Sequence, residues 1–517
     1  MVQRDIERAR HELPALVPDG ATVALTGSGV FLEPDEIFAE LERSFLETGH
    51  PRGLTLIHAL GIGDARGSGL SRFAHEGMVR CVIGGHWSWS PTMQALARDN
   101  AIEAYSFPAG AISSLLRSIG AGRPGLITRI GLGTFADPEI DGGRCNDAAR
   151  DALVERMVID GEPYLRYKPL KVDVGIVRGT EVDPSGSISF VREPAELDAC
   201  AVALAAHNCG GTVLAQVEAK REGRIVPSRL ARLPGVLVDA VLVAPEARKT
   251  YLPGYDPNLS GEAPTDANAA AEPMELPTGI RRFIAERAMA EIDGARSINF
   301  GYGIPGGIPA LLQEAGRTEY WGTIEQGIHN GRMLDGPMFG AARDADAIIP
   351  SVDQFDYYSG GGIDTGFLGM GEMDGAGNVN VSKIGGVLVG PGGFVDITQT
   401  ANKVVFCGTF EAKGLKVTRD DAGTLQIVQP GEVRKLVGQV EHITFSGAEA
   451  RRRGQTVIYV TERAVFRLDS DGVALMEIAP GIDLQRDVLD RMGFEPILRL
   501  AAGEARPAAA TASAVSG

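Results

Sequence analysis

The sequence predicts two duplicated, open α/β domains with mostly parallel sheets, joined by a linker. Short β-branched apolar runs alternate with helix-period segments, two pairs of stretches echo each other across the chain, and glycine is unusually frequent. At roughly 150 residues per domain, the 517 residues suit two large domains or about three smaller ones. The 67 glycines are about 13% of the chain, against a usual share near 7%, with no three-residue period, which excludes collagen and suits many tight strand-to-helix turns.

In chain order, DGATVALTGSG from Asp19 reads as a strand entering a glycine turn, and Pro34–Phe45 follows with helical periodicity. Val236–Val243 reads as a buried parallel strand. The stretch 256–273, rich in Pro and Ala, reads as a linker, and 503–517 reads as an unfolded tail. Between them lie helix-period segments at Ile280–Ile292 and Ile308–Ala315, and a second strand at Lys403–Cys407. The expected boundaries are an N-terminal domain over 1–255 and a C-terminal domain over 274–502.

The echoes are specific. DGARSINFGYG from Asp293 repeats the Asp19 stretch at an offset of 274. VDVGIVRGTEVDPSGSISF from Val172 is repeated from Ile363 at an offset of 191, with Asp173, Gly175, Glu181, Asp183 and Gly186 matching Asp364, Gly366, Glu372, Asp374 and Gly377.

Composition excludes several function classes. With 50 Lys and Arg against 67 Asp and Glu, the formal charge of −17 opposes binding to nucleic acid or an anionic membrane surface. No apolar stretch approaches the 18 residues of a membrane span, and the charged N-terminus lacks a signal-peptide core, so a cytoplasmic protein is expected. Five widely spaced cysteines without a C-x-x-C pair indicate neither disulfides nor zinc, and read as small buried residues.

No G-x-S-x-G, H-E-x-x-H or Walker phosphate loop is present. Gly301, Gly303 and Gly306 form G-x-G-x-x-G after the strand Ser297–Phe300, with Pro305 suited to a helix start. Such a turn offers N–H groups to a pyrophosphate, which dinucleotides and coenzyme A share, and Glu319 stands where a ribose-binding acid would be expected. In Trp321–Arg332 (WGTIEQGIHNGR), Glu325 falls at a strand tip, and Gly327 and Gly331 let the backbone curl around it. A carboxylate so placed can act as nucleophile; a solvated loop acid is the plainer reading. Gly390, Gly392 and Gly393 of VGPGGFVD form a turn whose N–H groups can hold an oxyanion.

These stretches together make the chain similar to class I coenzyme A transferases of the single-chain acetate/propionate/3-oxoacid type. The likeness runs from residue 15 to near 500, through GSGVFLEPDEIFAEL, FPAGAISSLLRSIGAGRPGLITRIGLGT, NFGYGIP, TIEQG, QFDYYSGGGIDTGFLGMGEMDGAGNVNVSK and GPGGFVD. The resemblance implies the NagB-like fold of that family. It implies that Glu325 attacks an acyl-CoA to give a mixed anhydride, then a glutamyl-CoA thioester, from which an acceptor acid takes the coenzyme in ping-pong fashion. It places coenzyme A against Gly301, Tyr302, Gly303, Ile304 and Pro305, with Gly390 and Gly392 also binding it, and the Gly393 N–H in the oxyanion hole. No metal and no permanent cofactor are implied; acyl-CoA and a small carboxylic acid are substrates, and a homodimer or homotetramer is expected.

The chain departs from the family pattern in two places. Pro108-Ala109-Gly110 replaces the usual Pro-Gln-Gly, so restoring the amide by Ala109→Gln is expected to raise turnover. IHNGRMLDG from Ile328 replaces a more glycine-rich stretch and implies an altered acyl pocket. Gly29, Ala109, Gly327, His329, Arg332 and Tyr357 are the substrate candidates: Arg332 as a carboxylate holder, His329 as a contact or a bystander, and Tyr357 with Tyr358 and Phe355 as a pocket wall. His86, Trp87 and Trp89 read as a core or subunit anchor, and Arg451–Arg453 as a solvated helix end. A thioester hydrolase on the same scaffold, a non-catalytic acyl-CoA or sugar-phosphate sensor, and a dehydrogenase remain alternatives.

Overall fold

A computed structural model describes residues 4–262 and 273–500. Most of the expected linker and the whole expected tail beyond residue 502 lie outside the described residues. The chain forms two compact units. The first takes its described residues from Met1–Asp266, Ile324–Gly360 and Gly385–Asp396; the second takes them from Ala267–Thr323, Gly361–Ile384 and Ile397–Gly517. Compactness therefore divides the chain differently from the linker, because two segments of the C-terminal half, one carrying Glu325, pack with the N-terminal half.

In the first unit, strands β1 (Thr22–Leu25), β2 (Leu54–His58), β3 (Val79–Gly84), β4 (Glu103–Ser106), β5 (Val174–Arg178), β6 (Thr212–Val217) and β7 (Ala240–Val243) form a sheet ordered β7-β6-β5-β1-β2-β3-β4. Every pairing is parallel. Both faces are covered, so β2 and β5 are buried throughout, which is why such strands read as continuous apolar runs. The helix Asp35–Thr48 turns Ile37, Phe38 and Leu41 inward and stops at left-handed Gly49. The helix Ala109–Gly120 starts directly after Pro108 and is almost wholly buried.

Several expectations change here. The Val236–Val243 run splits into a 3-10 turn at Gly235–Leu237, with Val236 68% exposed, and a strand at Ala240–Val243. Gly235 packs so tightly that a side chain would meet Ser185 O at 2.2 Å. The start of the supposed linker is structured, with Asp256 capping the short helix Pro257–Ser260 and Leu259 buried beside Val30, Phe31 and Met338. Cys200 is exposed, whereas Cys81 and Cys407 are buried.

The second unit's strands β8 (Ser297–Phe300), β9 (Trp321–Ile324), β10 (Thr365–Gly369), β11 (Lys403–Cys407), β12 (Thr456–Val460), β13 (Ala464–Asp469), β14 (Gly472–Ile478) and β15 (Ile497–Leu498) are ordered β9-β8-β10-β11-β12-β13-β14-β15. The first five are parallel, and β13 and β14 add antiparallel. The helices Gly279–Met289 and Ile308–Glu314 occupy the expected segments.

The sequence echoes correspond to equivalent structure in each unit. β1 pairs with β5 as β8 pairs with β10. The Asp173 carboxylate accepts the Thr22 N–H at 3.0 Å, and Asp364 accepts the Ser297 N–H at 3.0 Å. Asp183 gathers the N–H groups of Ser185 and Ser187, as Asp374 gathers those of Ala376 and Asn378. Among the described residues, no helix is long and apolar enough to cross a membrane.

Candidate active site

Glu325 directly follows β9, and the Gly327 N–H closes a turn onto Ile324 O at 3.0 Å. Gly327 has φ 92°, and a Cβ there would lie 1.9 Å from Ile349 O, so only glycine lets the chain turn this sharply. Gln326 is buried and donates to Ser28 Oγ at 3.1 Å, which ties the turn to the loop after β1.

The second glycine run packs against the carboxylate. The Gly393 N–H donates to Glu325. A Cβ on Gly393 would sit 2.7 Å from Glu325 Oε2, and one on Gly392 would sit 3.7 Å from Oε1. Gly392 is held from both sides, its N–H donating to Gly85 O at 2.7 Å and its carbonyl accepting the Ala109 N–H at 2.9 Å. Gly390 lies against Gly85 O and His86. Asp396, wholly buried, accepts the Gly110 N–H at 3.1 Å. The first-unit site thus brings together four sequence-distant stretches: the end of β3, the start of the Ala109 helix, the Glu325–Gly327 turn and the Gly390–Asp396 turn.

Burial sets the electrostatics. It pushes the Glu325 carboxyl up to about 7 against the lowering effect of the Gly393 N–H. At pH 7 the carboxyl is therefore poised between its two forms, whereas an exposed glutamate, with a pKa of about 4.3, would be fully ionised. Asp396 is raised to about 8 by burial, with the Glu325 charge adding in the same direction. His86 is lowered to about 4 by burial, so its imidazole is neutral, and its ring edge lies 3.9 Å from the position of a Gly392 Cβ.

His86 is the residue whose proximity to Glu325 the sequence does not announce. It reads as part of a core or subunit anchor, but it stands at the turn that faces Glu325, and only the Gly84-Gly85 pair before it signals a strand-end site. Trp87 does fill the core.

The other candidates separate. His329 is partly buried, its ring 6.3 Å from that of Tyr357, and its pKa is lowered by burial. Tyr357 is 38% exposed, whereas Phe355 and Tyr358 are wholly buried. A Cβ on Gly393 would meet the Phe355 ring at 3.1 Å, so Phe355 backs the glycine turn. Arg332 lies on a hairpin opposite Arg343, with Asp344 3.9 Å away. Gly29 has φ 56° and bonds through both backbone groups to the Gly61–Gly63 loop, with Tyr251 beside it. The Ala109 methyl is wholly buried, so a glutamine there would have to displace its surroundings.

In the second unit, the Gly301 N–H donates to Phe367 O at 2.8 Å, Tyr302 is 59% exposed and Gly303 has φ 89°. Ile304 and Pro305 start a 3-10 turn that leads into the helix Ile308–Glu314. Arg451 and Arg453 bond to backbone carbonyls and Arg452 pairs with Glu449, as befits a helix end. Among the described residues, no cluster of His, Cys, Asp or Glu could hold a metal.

The coenzyme A transferase family profile matches residues 6–244. Acetate CoA-transferase YdiF of Escherichia coli is 40% identical over 486 residues, covering 93% of this chain and 91% of that protein. The chain belongs to the coenzyme A transferase family. Caffeate CoA-transferase of Acetobacterium woodii is also 40% identical, over 94% of each chain. A crystal structure of the acyl-CoA transferase YdiF from E. coli O157:H7, a thioester complex with CoA, superposes with a TM-score of 0.90 at 37% identity, covering 96% of this chain and 95% of that one. This membership answers the dehydrogenase alternative, and the transferase fold accounts for the duplicated sheets.

Proposed function

We propose that this coenzyme A transferase works through a glutamyl-CoA thioester on Glu325. The Glu325 carboxylate attacks the acyl-CoA carbonyl, and the C–S bond breaks to release the thiolate and leave a mixed anhydride. The thiolate then attacks the glutamyl γ-carbonyl and expels the donor carboxylate. An acceptor carboxylate reverses both steps, so atoms and charge balance without water or metal. The observation that carries the reading is the placement of the Glu325 carboxylate against the Gly392-Gly393 turn with the Gly393 N–H directed at it.

Gly301, Tyr302, Gly303, Ile304 and Pro305 of the second unit are assigned to coenzyme A, together with Gly390 and Gly392. Gly29, Ala109, Gly327, His329, Arg332 and Tyr357 remain the substrate assignments. Relatives equally identical to this chain are named for acetate and for caffeate, so the acyl group depends on local pocket residues rather than on the scaffold. A cytoplasmic homodimer or homotetramer completes the proposal, and sedimentation as a monomer alone would contradict it.

A thioester hydrolase is the second reading, favoured by Ala109, which offers no side-chain amide at the start of its helix. Acyl-CoA and a labelled carboxylate distinguish the two. Label appearing in a new acyl-CoA at the rate of donor consumption is the transferase result; CoA release that ignores the carboxylate is the hydrolase result.

A further inference from the structure

The second unit buries a charge network with a cation left over. Arg463 is 1% exposed and pairs with Glu411 at 2.6 Å and Glu462 at 3.0 Å, while Arg491 pairs with the other Glu411 oxygen at 2.5 Å. Glu462 is already engaged on both oxygens, by Arg463 on Oε1 and by the Phe410 N–H on Oε2 at 2.9 Å. Lys435 stands beside this network, partly buried and close enough to feel the Glu462 charge. Among the described residues, no carboxylate forms an ion pair with its ammonium. Asp487, which also feels the Arg463 charge, is already held by Arg486 at 2.7 Å, so around Glu411 and Glu462 three cations, Arg463, Arg491 and Lys435, face two carboxylates.

The position of the surplus charge matters. Lys435 Nζ lies 3.1 Å from where a Cβ on Gly408 would be, and Met370 O lies 2.9 Å from the same point. Gly408 follows β11 and Met370 follows β10. One residue earlier, Gly369 approaches Tyr302 O, and Gly301 bonds to Phe367 O of β10. Lys435 therefore sits along the same carboxyl ends of β8, β10 and β11 as the Gly301–Pro305 loop, the edge where open parallel sheets receive ligands. Gly408 has no side chain to cover the ammonium.

We propose that Lys435 binds a phosphate group of the coenzyme A nucleotide, which neutralises the surplus charge of the buried network. This rests on the coenzyme A transferase reading. Without such an anion the buried ammonium is unfavourable, and burial lowers its pKa to about 8. A phosphate beside it supplies a charge-assisted hydrogen bond, the stronger kind. The arrangement keeps an unpaired charge in the free protein and relieves it on binding.

The test compares kcat/KM for acyl-CoA, acyl-dephospho-CoA and acyl-pantetheine in wild type and in Lys435→Met. The variant is expected to lose about 10–100-fold on acyl-CoA, the scale of one charged hydrogen bond, and to keep wild-type activity on acyl-pantetheine, which has no phosphate. Loss confined to acyl-CoA assigns the 3′-phosphate; loss shared with acyl-dephospho-CoA assigns the diphosphate. Lys435→Arg should recover part of the loss. The ligand-free melting temperature of Lys435→Met should equal or exceed wild type, since an uncompensated buried charge is removed. Equal losses on acyl-CoA and acyl-pantetheine, or no loss on either, would overturn the assignment. Adduct formation on Glu325 from acyl-pantetheine separates this outcome from failure of the transferase reading, because it does not depend on Lys435.

Discussion

Asp173 and Asp364 occupy equivalent places in the two units, and both are held below the usual carboxylate range. For Asp364 the Ser297 N–H is the leading cause; for Asp173 burial works the other way but is outweighed by Lys171 and the Thr22 N–H. Glu325 and Asp396 in the first unit go up, to about 7 and about 8, because burial exceeds what their backbone donors return. The same chemical group serves as framework where donors outweigh desolvation, and stays uncomfortable where they do not. Burial also raises Glu33 to about 8 and Asp198 to about 6 elsewhere in the first unit, so what sets Glu325 apart is its raised carboxyl together with the glycine turn packed against it.

This contrast can be broken at its site end first. Gly393→Ala puts a methyl 2.7 Å from Glu325 Oε2 and misdirects an oxyanion donor, so kcat should fall about 10²–10³-fold while the far-UV spectrum is unchanged. Steady-state kinetics with acyl-CoA and acetate as a trial acceptor provide the check, and an unimpaired variant would detach the glycine turn from the chemistry.

The raised acid gives a pH signature. Only ionised Glu325 attacks, so log kcat/KM for acyl-CoA should rise with unit slope to a plateau above about 7, making the rate at pH 5 about 10²-fold lower. The linkage runs the other way. A folded pKa above the unfolded one means that the native state holds the proton more tightly, so the stabilisation is full below about 4.3 and is lost as pH rises through about 7. Glu325→Gln should flatten that part of the stability curve in urea titrations at successive pH values.

The framework end yields the smallest effect on chemistry. Asp364→Ala strands the N–H groups of Arg296 and Ser297 and should destabilise the protein by about 1–3 kcal/mol, with kcat changed less than threefold. Chemical denaturation beside kcat reads both; a kcat loss exceeding the stability loss would give the framework acid a role in the site.

Much of this is legible in the sequence because it is local or repeated. The two offsets by themselves locate β1, β5, β8 and β10, since an aspartate that gathers neighbouring N–H groups needs its turn sequence intact. Glu325, Gly327 and Gly393 are legible from strand-tip and glycine-turn chemistry. What is not legible depends on long-range contact. Asp396 reaches Gly110 across 286 residues, and nothing near either residue announces the other. His86 carries no local signature that separates a core histidine from one facing a site. Val236 looks like strand because composition alone does not report that Gly235 must pack against Ser185.

The most direct test of the account is peptide mass spectrometry after incubating the enzyme with acyl-CoA in the absence of acceptor, followed by borohydride or hydroxylamine. A reduced or hydroxamate-bearing Glu325 in wild type, absent from Glu325→Ala and Glu325→Gln, both inactive, is the predicted result. A mark on any other residue, or full transfer activity in Glu325→Ala, would contradict it.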